Sequence, residues 1–302
     1  MLRRALLYLS QQKTWQQRIL RFSATRKLAG RFVAGETLAE AVEAARQRNQ
    51  KGMLATLDHL GEHVASLAAA AAARDAYLET LAEIVRQQLQ SNISVKLTQL
   101  GLDSSEPECL ANLRSVVDYA ERNGRFVRVD MESSAYTDRT LGIIAEARKS
   151  FRSVGAVIQA YLYRSEADLG KLLSQGTSVR LCKGAYDEPS SIAFPRKSDV
   201  DRNFLRLMQM LLSGGIYHAI ATHDDHMIEE TCRHAAKHGL SREAFEFQML
   251  YGIRADLQDR LVQQGYRLRI YIPFGQEWFA YFMRRLAERP ANLLFALRSF
   301  LR

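Results

Sequence analysis

The chain has 302 residues, 47% apolar and 25% charged, a composition that excludes disordered, fibrous and membrane-embedded classes. No run approaches the roughly 18–20 apolar residues that a membrane span needs. The net charge of +9 admits anionic partners such as lipid headgroups, nucleic acid or small carboxylates.

That charge is unevenly spread. Residues 1–31 carry Arg3, Arg4, Lys13, Arg18, Arg21, Arg26, Lys27 and Arg31 with no acid, interspersed with Leu, Ile, Phe and Trp. The short apolar run Ala5–Leu9 turns polar at Gln11, too soon for a secretory signal. Such an arm suits an anionic surface, or docking on its own domain with its charges outward. Contact with anionic lipid, and not nucleic acid, is the expectation adopted. Cys109, Cys182 and Cys232 are odd in number and far apart, fitting neither a disulfide framework nor a zinc pattern. A cytoplasmic protein, peripheral to the inner membrane through its arm, is expected.

After the arm, Gly35-Glu36-Thr37 opens a helix to about Gln50, with Leu38, Val42 and Ala45 at helical spacing. Short β-branched runs then alternate with longer helical ones. The predicted strands are Met53–Leu57, Asn92–Leu97, Phe126–Met131, Ala156–Tyr161, Ser178–Cys182, Tyr217–Thr222, Phe245–Met249 and Leu268–Ile272. Helical patterns such as Ala65–Leu89, Pro107–Asn123 and Ile228–His238 lie between them. The expected class is α/β, a (βα)8 TIM-like barrel over residues 51–302 preceded by an N-terminal helical arm, 1–50. A doubly wound open sheet is the runner-up, but no Gly-x-Gly-x-x-Gly follows the first strand.

Side chains alternate along a strand, and in a barrel one set points inward. The apolar set is Ile93, Val95, Leu97, then Val127, Val129, Met131, and so on through Leu268, Ile270, Ile272. The opposite set contains Lys96, Asp130, Gln159, Arg180, Gln248 and Tyr271, drawn from six strands toward the carboxyl ends, where barrel enzymes keep their chemistry. Beyond the last strand, Tyr281, Arg284, Arg285 and Glu288 share roughly one third of a helix surface, opposite Phe279, Phe282, Met283 and Leu286. Two arginines beside an acid and a tyrosine suit a small carboxylate, which a guanidinium grips with two bonds. An ordinary solvated helix face has the same pattern.

Several segments resemble the proline dehydrogenase family: Ser94-Val95-Lys96-Leu97-Thr98-Gln99-Leu100-Gly101, Val127-Arg128-Val129-Asp130-Met131-Glu132 and Val179-Arg180-Leu181-Cys182-Lys183-Gly184-Ala185-Tyr186. So do Ala221-Thr222-His223-Asp224, Phe245-Glu246-Phe247-Gln248 and Tyr281-x-x-Arg284-Arg285-Leu286-x-Glu288. The resemblance implies a distorted (βα)8 barrel that holds FAD non-covalently and oxidises L-proline to Δ1-pyrroline-5-carboxylate. By that likeness Arg284, Arg285 and Lys96 bind the substrate carboxylate, Tyr271 and Tyr281 wall its ring, and Asp130 and Glu288 orient the basic groups. Arg180 is implied near the reactive face of the flavin. Gln159, Lys183, Gly184, Ala185, Thr222 and His223 would hold the cofactor, with Met131 at its edge. A membrane quinone is the expected next acceptor, which gives a lipid-facing basic arm a use. The chain departs from near relatives at Ser133, where an acid is frequent, and at Arg289-Pro290 after Glu288.

Three other readings compete. An aldolase would use Lys96 as a Schiff-base lysine at a strand end. A metal-dependent hydrolase would need ligands from His223/His226, His234/His238 or His59/His63, and no metal is expected. A basic scaffold would bind through residues 1–31, which leaves the inward polar set without a purpose.

Overall fold

A computed structural model describes residues 30–61, 63–279 and 281–283. Its eight strands are β1 (Leu54–His59), β2 (Ser91–Val95), β3 (Val127–Val129), β4 (Val154–Gln159), β5 (Val179–Cys182), β6 (His218–Ala221), β7 (Phe245–Leu250) and β8 (Arg267–Phe274). Each pairs in parallel with its sequence neighbours, and β8 closes on β1. The closed (βα)8 barrel expected from the alternation is therefore present, with strand ends displaced by a few residues.

Helix α1 (Leu38–Gln50) precedes the barrel and packs against β1 and β8. The connecting helices are α2 (Leu67–Arg86), α3 (Glu106–Arg122), α4 (Thr137–Arg148), α5 (Ser165–Ser174), α6 (Lys197–Leu212), α7 (Asp225–Lys237) and α8 (Ala255–Gln263). Local sequence sets their starts. Thr37 and Glu40 form a reciprocal capping box on α1. Ser66, Ser105 and Asp224 accept from backbone N–H groups in the first turns of α2, α3 and α7.

The apolar core lies between the strands and the helices, not inside the barrel. Leu57, Ile93, Val95, Val127, Val129, Leu181, Phe247 and Ile270 point outward onto buried helix residues such as Leu81, Leu113, Ile144 and Leu207. The barrel interior is largely polar, with Val157, Ala219 and Ala221 as apolar positions on its inward face. At its floor Arg269 Nε donates to Glu246 Oε1 at 2.7 Å, and Arg128 Nη1 donates to the carbonyls of Ala156 and Ser178. Gly155 makes room for that guanidinium, since a Cβ there would lie 2.6 Å from Arg128 Nη1. Burial alone would push the Glu246 carboxyl up, but Arg269, Gln248 and Tyr217 outweigh it and hold it below the ordinary range.

His218 is buried beside this floor, and its Nδ1 accepts the Val179 N–H at 3.1 Å. Burial, then the charge of Arg128, pushes its pKa down to about 4. The folded state thus holds a neutral imidazole that the unfolded chain protonates below about pH 6.5. Its contribution to stability is complete above that pH and is lost as pH falls through about 4. Urea titrations should show wild type losing about 3 kcal/mol more than His218→Gln between about pH 7.5 and pH 4. Parallel pH profiles for the two proteins would contradict this account of His218.

Candidate active site

The carboxyl ends of the strands surround a cavity of about 480 Å³. Its walls include Lys96, Asp130, Met131, Gln159, Arg180, Lys183, Gly184, Ala185, Thr222, His223, Gln248, Tyr271 and Tyr281. Residues named from strand parity and from motif thus line one space. Arg284, Arg285 and Glu288 lie outside the described residues, as do residues 1–29 of the basic arm.

Arg180, on β5, is the most heavily tied side chain at the centre. Nη1 donates to Asp130 Oδ1 at 2.6 Å, Nη2 to Ser94 Oγ at 3.0 Å and Nε to Gln248 Oε1. Its guanidinium also stands 5.2 Å from the centre of the Tyr271 ring. The second oxygen of Asp130 accepts the Tyr271 hydroxyl at 2.7 Å. Burial and then the neighbouring Asp130 charge raise the Tyr271 phenol well above its ordinary pKa, so this hydroxyl stays a donor. Gln248 passes the chain downward, donating to Glu246 Oε1. Ser94, Asp130, Arg180, Gln248 and Tyr271 therefore form one network that joins four strands and the residue just past β3.

On the other side of the mouth, Lys96 Nζ donates to Asp58 Oδ1 at 2.9 Å, with both side chains almost fully shielded from solvent. Gln159 is fixed through Nε2, which donates to the carbonyls of Met131 and Glu132, while its buried Oε1 has no hydrogen-bond partner. Lys183 pairs with Asp201 and Asp224, the latter at 2.8 Å. The His223 Nε2 accepts the Leu250 N–H at 2.8 Å, and Thr222 Oγ1 accepts from the Asp224 N–H. Gly184 has φ +108°, and a Cβ there would lie 2.2 Å from the Tyr161 ring. Only glycine lets the backbone pass so close to the ring in that conformation.

Several placements differ from the strand-parity reading. β4 ends at Gln159, so Tyr161 leaves the barrel wall and packs with Leu162 and Ala193 in a separate cluster. Tyr281 is buried in the cavity wall, while Phe279, Phe282 and Met283 are buried as well, so the chain at 281 does not present a solvated face. Asp58 and Glu132 also line the cavity and were not singled out from sequence. The signal for Asp58 was present, since Thr56 and Asp58 alternate with the outward Ala55 and Leu57. Ending the first predicted strand at Leu57 hid it. The histidine pairs considered for metal do not join larger groups. His59 packs on Phe274, His63 bonds Asp103, and His234 stacks on His238. Among the described residues no three His, Cys, Asp or Glu side chains converge as a metal site.

A parallel barrel with a charged cavity at its carboxyl end defines the broad class of (βα)8-barrel enzymes. The profile of the proline dehydrogenase family matches residues 41–298. Proline dehydrogenase 1 of Bacillus subtilis subsp. natto is 43% identical over 302 residues, covering all of both chains. Proline dehydrogenase of Deinococcus radiodurans is 38% identical over 299 residues, 97% of this chain and 93% of that protein. Among solved structures, proline utilization A of Bdellovibrio bacteriovorus matches with a TM-score of 0.82 at 29% identity, over 87% of this chain and 33% of that one. The chain is an enzyme of the proline dehydrogenase family.

The crowding at Gly184 can be tested directly. Gly184→Ala should lower stability by roughly 1–3 kcal/mol through backbone strain and the clash with Tyr161. Scanning calorimetry reads this as a lower melting temperature; an unaltered one would show that the Tyr161 ring moves aside without cost.

Proposed function

We propose that this chain oxidises L-proline to Δ1-pyrroline-5-carboxylate, the first step of proline catabolism toward glutamate, with FAD held non-covalently in the cavity. Membership of the family supports proline oxidation, and the site's own chemistry supports the finer reading. The observation that carries it is the Arg180–Asp130–Tyr271 network standing beside the Lys96–Asp58 pair in one cavity.

The residues present fit a flavin. Gln159 offers a buried acceptor with no protein donor, on an amide already oriented by two carbonyls. Such an atom suits an N–H of a heterocycle. Gly184 keeps a close backbone approach open at the cavity wall, and Lys183 sets a cation beside it. Bound FAD supplies the two-electron sink that no side chain provides.

The chain's own residues do the binding and orienting. Lys96, with Arg284 and Arg285, would grip the substrate carboxylate, and Glu288 is assigned to orient these basic groups. Tyr271 and Tyr281 wall the pyrrolidine ring. Asp130 fixes Tyr271 and Arg180 at once, which sets ring position against cofactor position. Arg180 and Lys183 would place positive charge beside a bound flavin. Met131, Gln159, Gly184, Ala185, Thr222 and His223 hold the cofactor in place. A membrane quinone would be the electron acceptor, and residues 1–31 would meet anionic lipid. Among the described residues no helix is long and apolar enough to cross a membrane.

The aldolase reading is disfavoured by Asp58. Lys96 Nζ is held as a donor on Asp58 Oδ1 at 2.9 Å, a placement that suits a charged contact with a substrate carboxylate more than attack on a carbonyl.

Incubation with L-proline and a soluble dye should yield a cyclic imine that condenses with an aromatic ortho-amino aldehyde to a coloured adduct. A quinone should replace the dye, most effectively with the quinone in anionic vesicles. Arg284→Lys should raise KM at least about tenfold, because a point charge cannot reproduce a two-bond carboxylate grip. No imine from proline would defeat the reaction assigned, and an unchanged KM would remove Arg284 from the substrate site.

A further inference from the structure

Among the described residues, His63, Gln88 and Arg254 hold a left-handed φ without being glycine. Gln88 follows the end of α2, where that conformation is ordinary. Arg254 is harder to explain. It stands immediately before α8 with φ 55° and ψ 53°, a place normally taken by an extended residue whose side chain accepts from the first helical turn. An arginine has no acceptor to offer, and a glycine, such as Gly252 at φ +72°, enters this region without a steric cost. Neither the turn nor the cap accounts for the side chain, so its gain lies in what the guanidinium touches.

That guanidinium reaches the neighbouring connection, between β6 and α7. Nη1 donates to Asp225 Oδ2 at 2.8 Å and Nη2 to Asp225 Oδ1 at 3.2 Å, a two-bond fork on the first residue of α7. Nη1 also donates to the His223 carbonyl at 3.4 Å, and Nη2 to Asp256 Oδ2 at 3.2 Å. The lacing runs both ways. The Leu250 N–H donates to His223 Nε2, and Gln258 Nε2 ties the carbonyls of Leu250 and Ile253 to α8. Both connections face the cavity, one through Thr222, His223 and Asp224, the other through Leu250 and Ile253. Arg254 and Asp225 are partly exposed, and a pair near solvent contributes little to stability.

We infer that Arg254 is a positioning residue for the cofactor, pinning from one connection the turn that carries Thr222 and His223 in the next. This rests on the proposed flavin site. Arg254 acts through Asp225 and the His223 carbonyl. Lys96, Asp130 and Tyr271, assigned to the substrate side, belong to other strands, so loss of the fork should reach the flavin and not the proline.

Two variants break the fork from opposite ends. Arg254→Gly removes the guanidinium and suits the backbone, while Asp225→Asn keeps the shape of its partner and removes the charge. FAD binding to flavin-stripped protein is measured by calorimetry, and KM for L-proline is measured at saturating FAD. Each variant should weaken FAD about fivefold or more, and the double variant no further than either alone, because both remove one interaction. KM should stay within about twofold of wild type. FAD affinity unaltered in either folded variant, or losses that multiply in the double variant, would overturn the inference. A KM that rises in step with the FAD dissociation constant would overturn it as well, by showing a general loosening of the barrel mouth. Asp225→Asn alone decides the matter should Arg254→Gly not fold. Wild-type protein that binds no FAD would instead defeat the flavin reading beneath it.

Discussion

Asp130 is the constraint on which the site depends. Its two oxygens fasten Arg180 of β5 and Tyr271 of β8, two strands that do not touch, across the barrel mouth. Neither partner tolerates loss of that carboxylate. Arg180 would keep a shielded charge with no counter-ion, and Tyr271 would keep a part-buried hydroxyl without its acceptor. Breaking one side of a buried pair costs about 3–5 kcal/mol, far more than forming it contributes. The interaction therefore specifies geometry more than it stabilises the fold.

That constraint explains why the barrel is built inside out relative to a barrel filled with aliphatic layers. Glu246 and Arg269 at the floor and Asp130, Arg180 and Lys96 at the mouth are ionic and paired, while Arg128 donates to backbone carbonyls. The hydrophobic driving force comes from the outer layer, where aliphatic strand residues meet the helices. With a polar column held rigid by its own bonds, the cavity walls need little reorganisation when charge develops in them. The same logic singles out the atoms that the column does not satisfy. Gln159 Oε1 and Asp58 Oδ2 are buried acceptors without donors, on residues that line the cavity.

Much of this was legible in the amino-acid sequence because two periodicities coincide. The alternation of Val127-Arg128-Val129-Asp130 and of Leu268-Arg269-Ile270-Tyr271 marks both the strand and the face that looks inward. Eight such runs separated by helical patterns leave few architectures other than a barrel. What alternation cannot carry is where a strand stops. Tyr161 shares parity with Gln159, yet the strand ends between them and the ring turns to wall Gly184. Asp58 has the inward parity, but a boundary drawn one residue early concealed it. Pairings are also absent from a one-dimensional pattern. That Lys183 joins Asp201 and Asp224, or that Lys96 meets Asp58, depends on which loops the closed barrel brings together.

The central claim is that this cavity places L-proline against a bound flavin. An anaerobic visible spectrum of FAD-reconstituted protein tests it most directly. The account predicts the absorption of an oxidised flavin that bleaches on adding L-proline and is unmoved by cyclopentanecarboxylate at the same concentration. A protein that binds no flavin after reconstitution, or one whose flavin stays oxidised in excess L-proline, would contradict it.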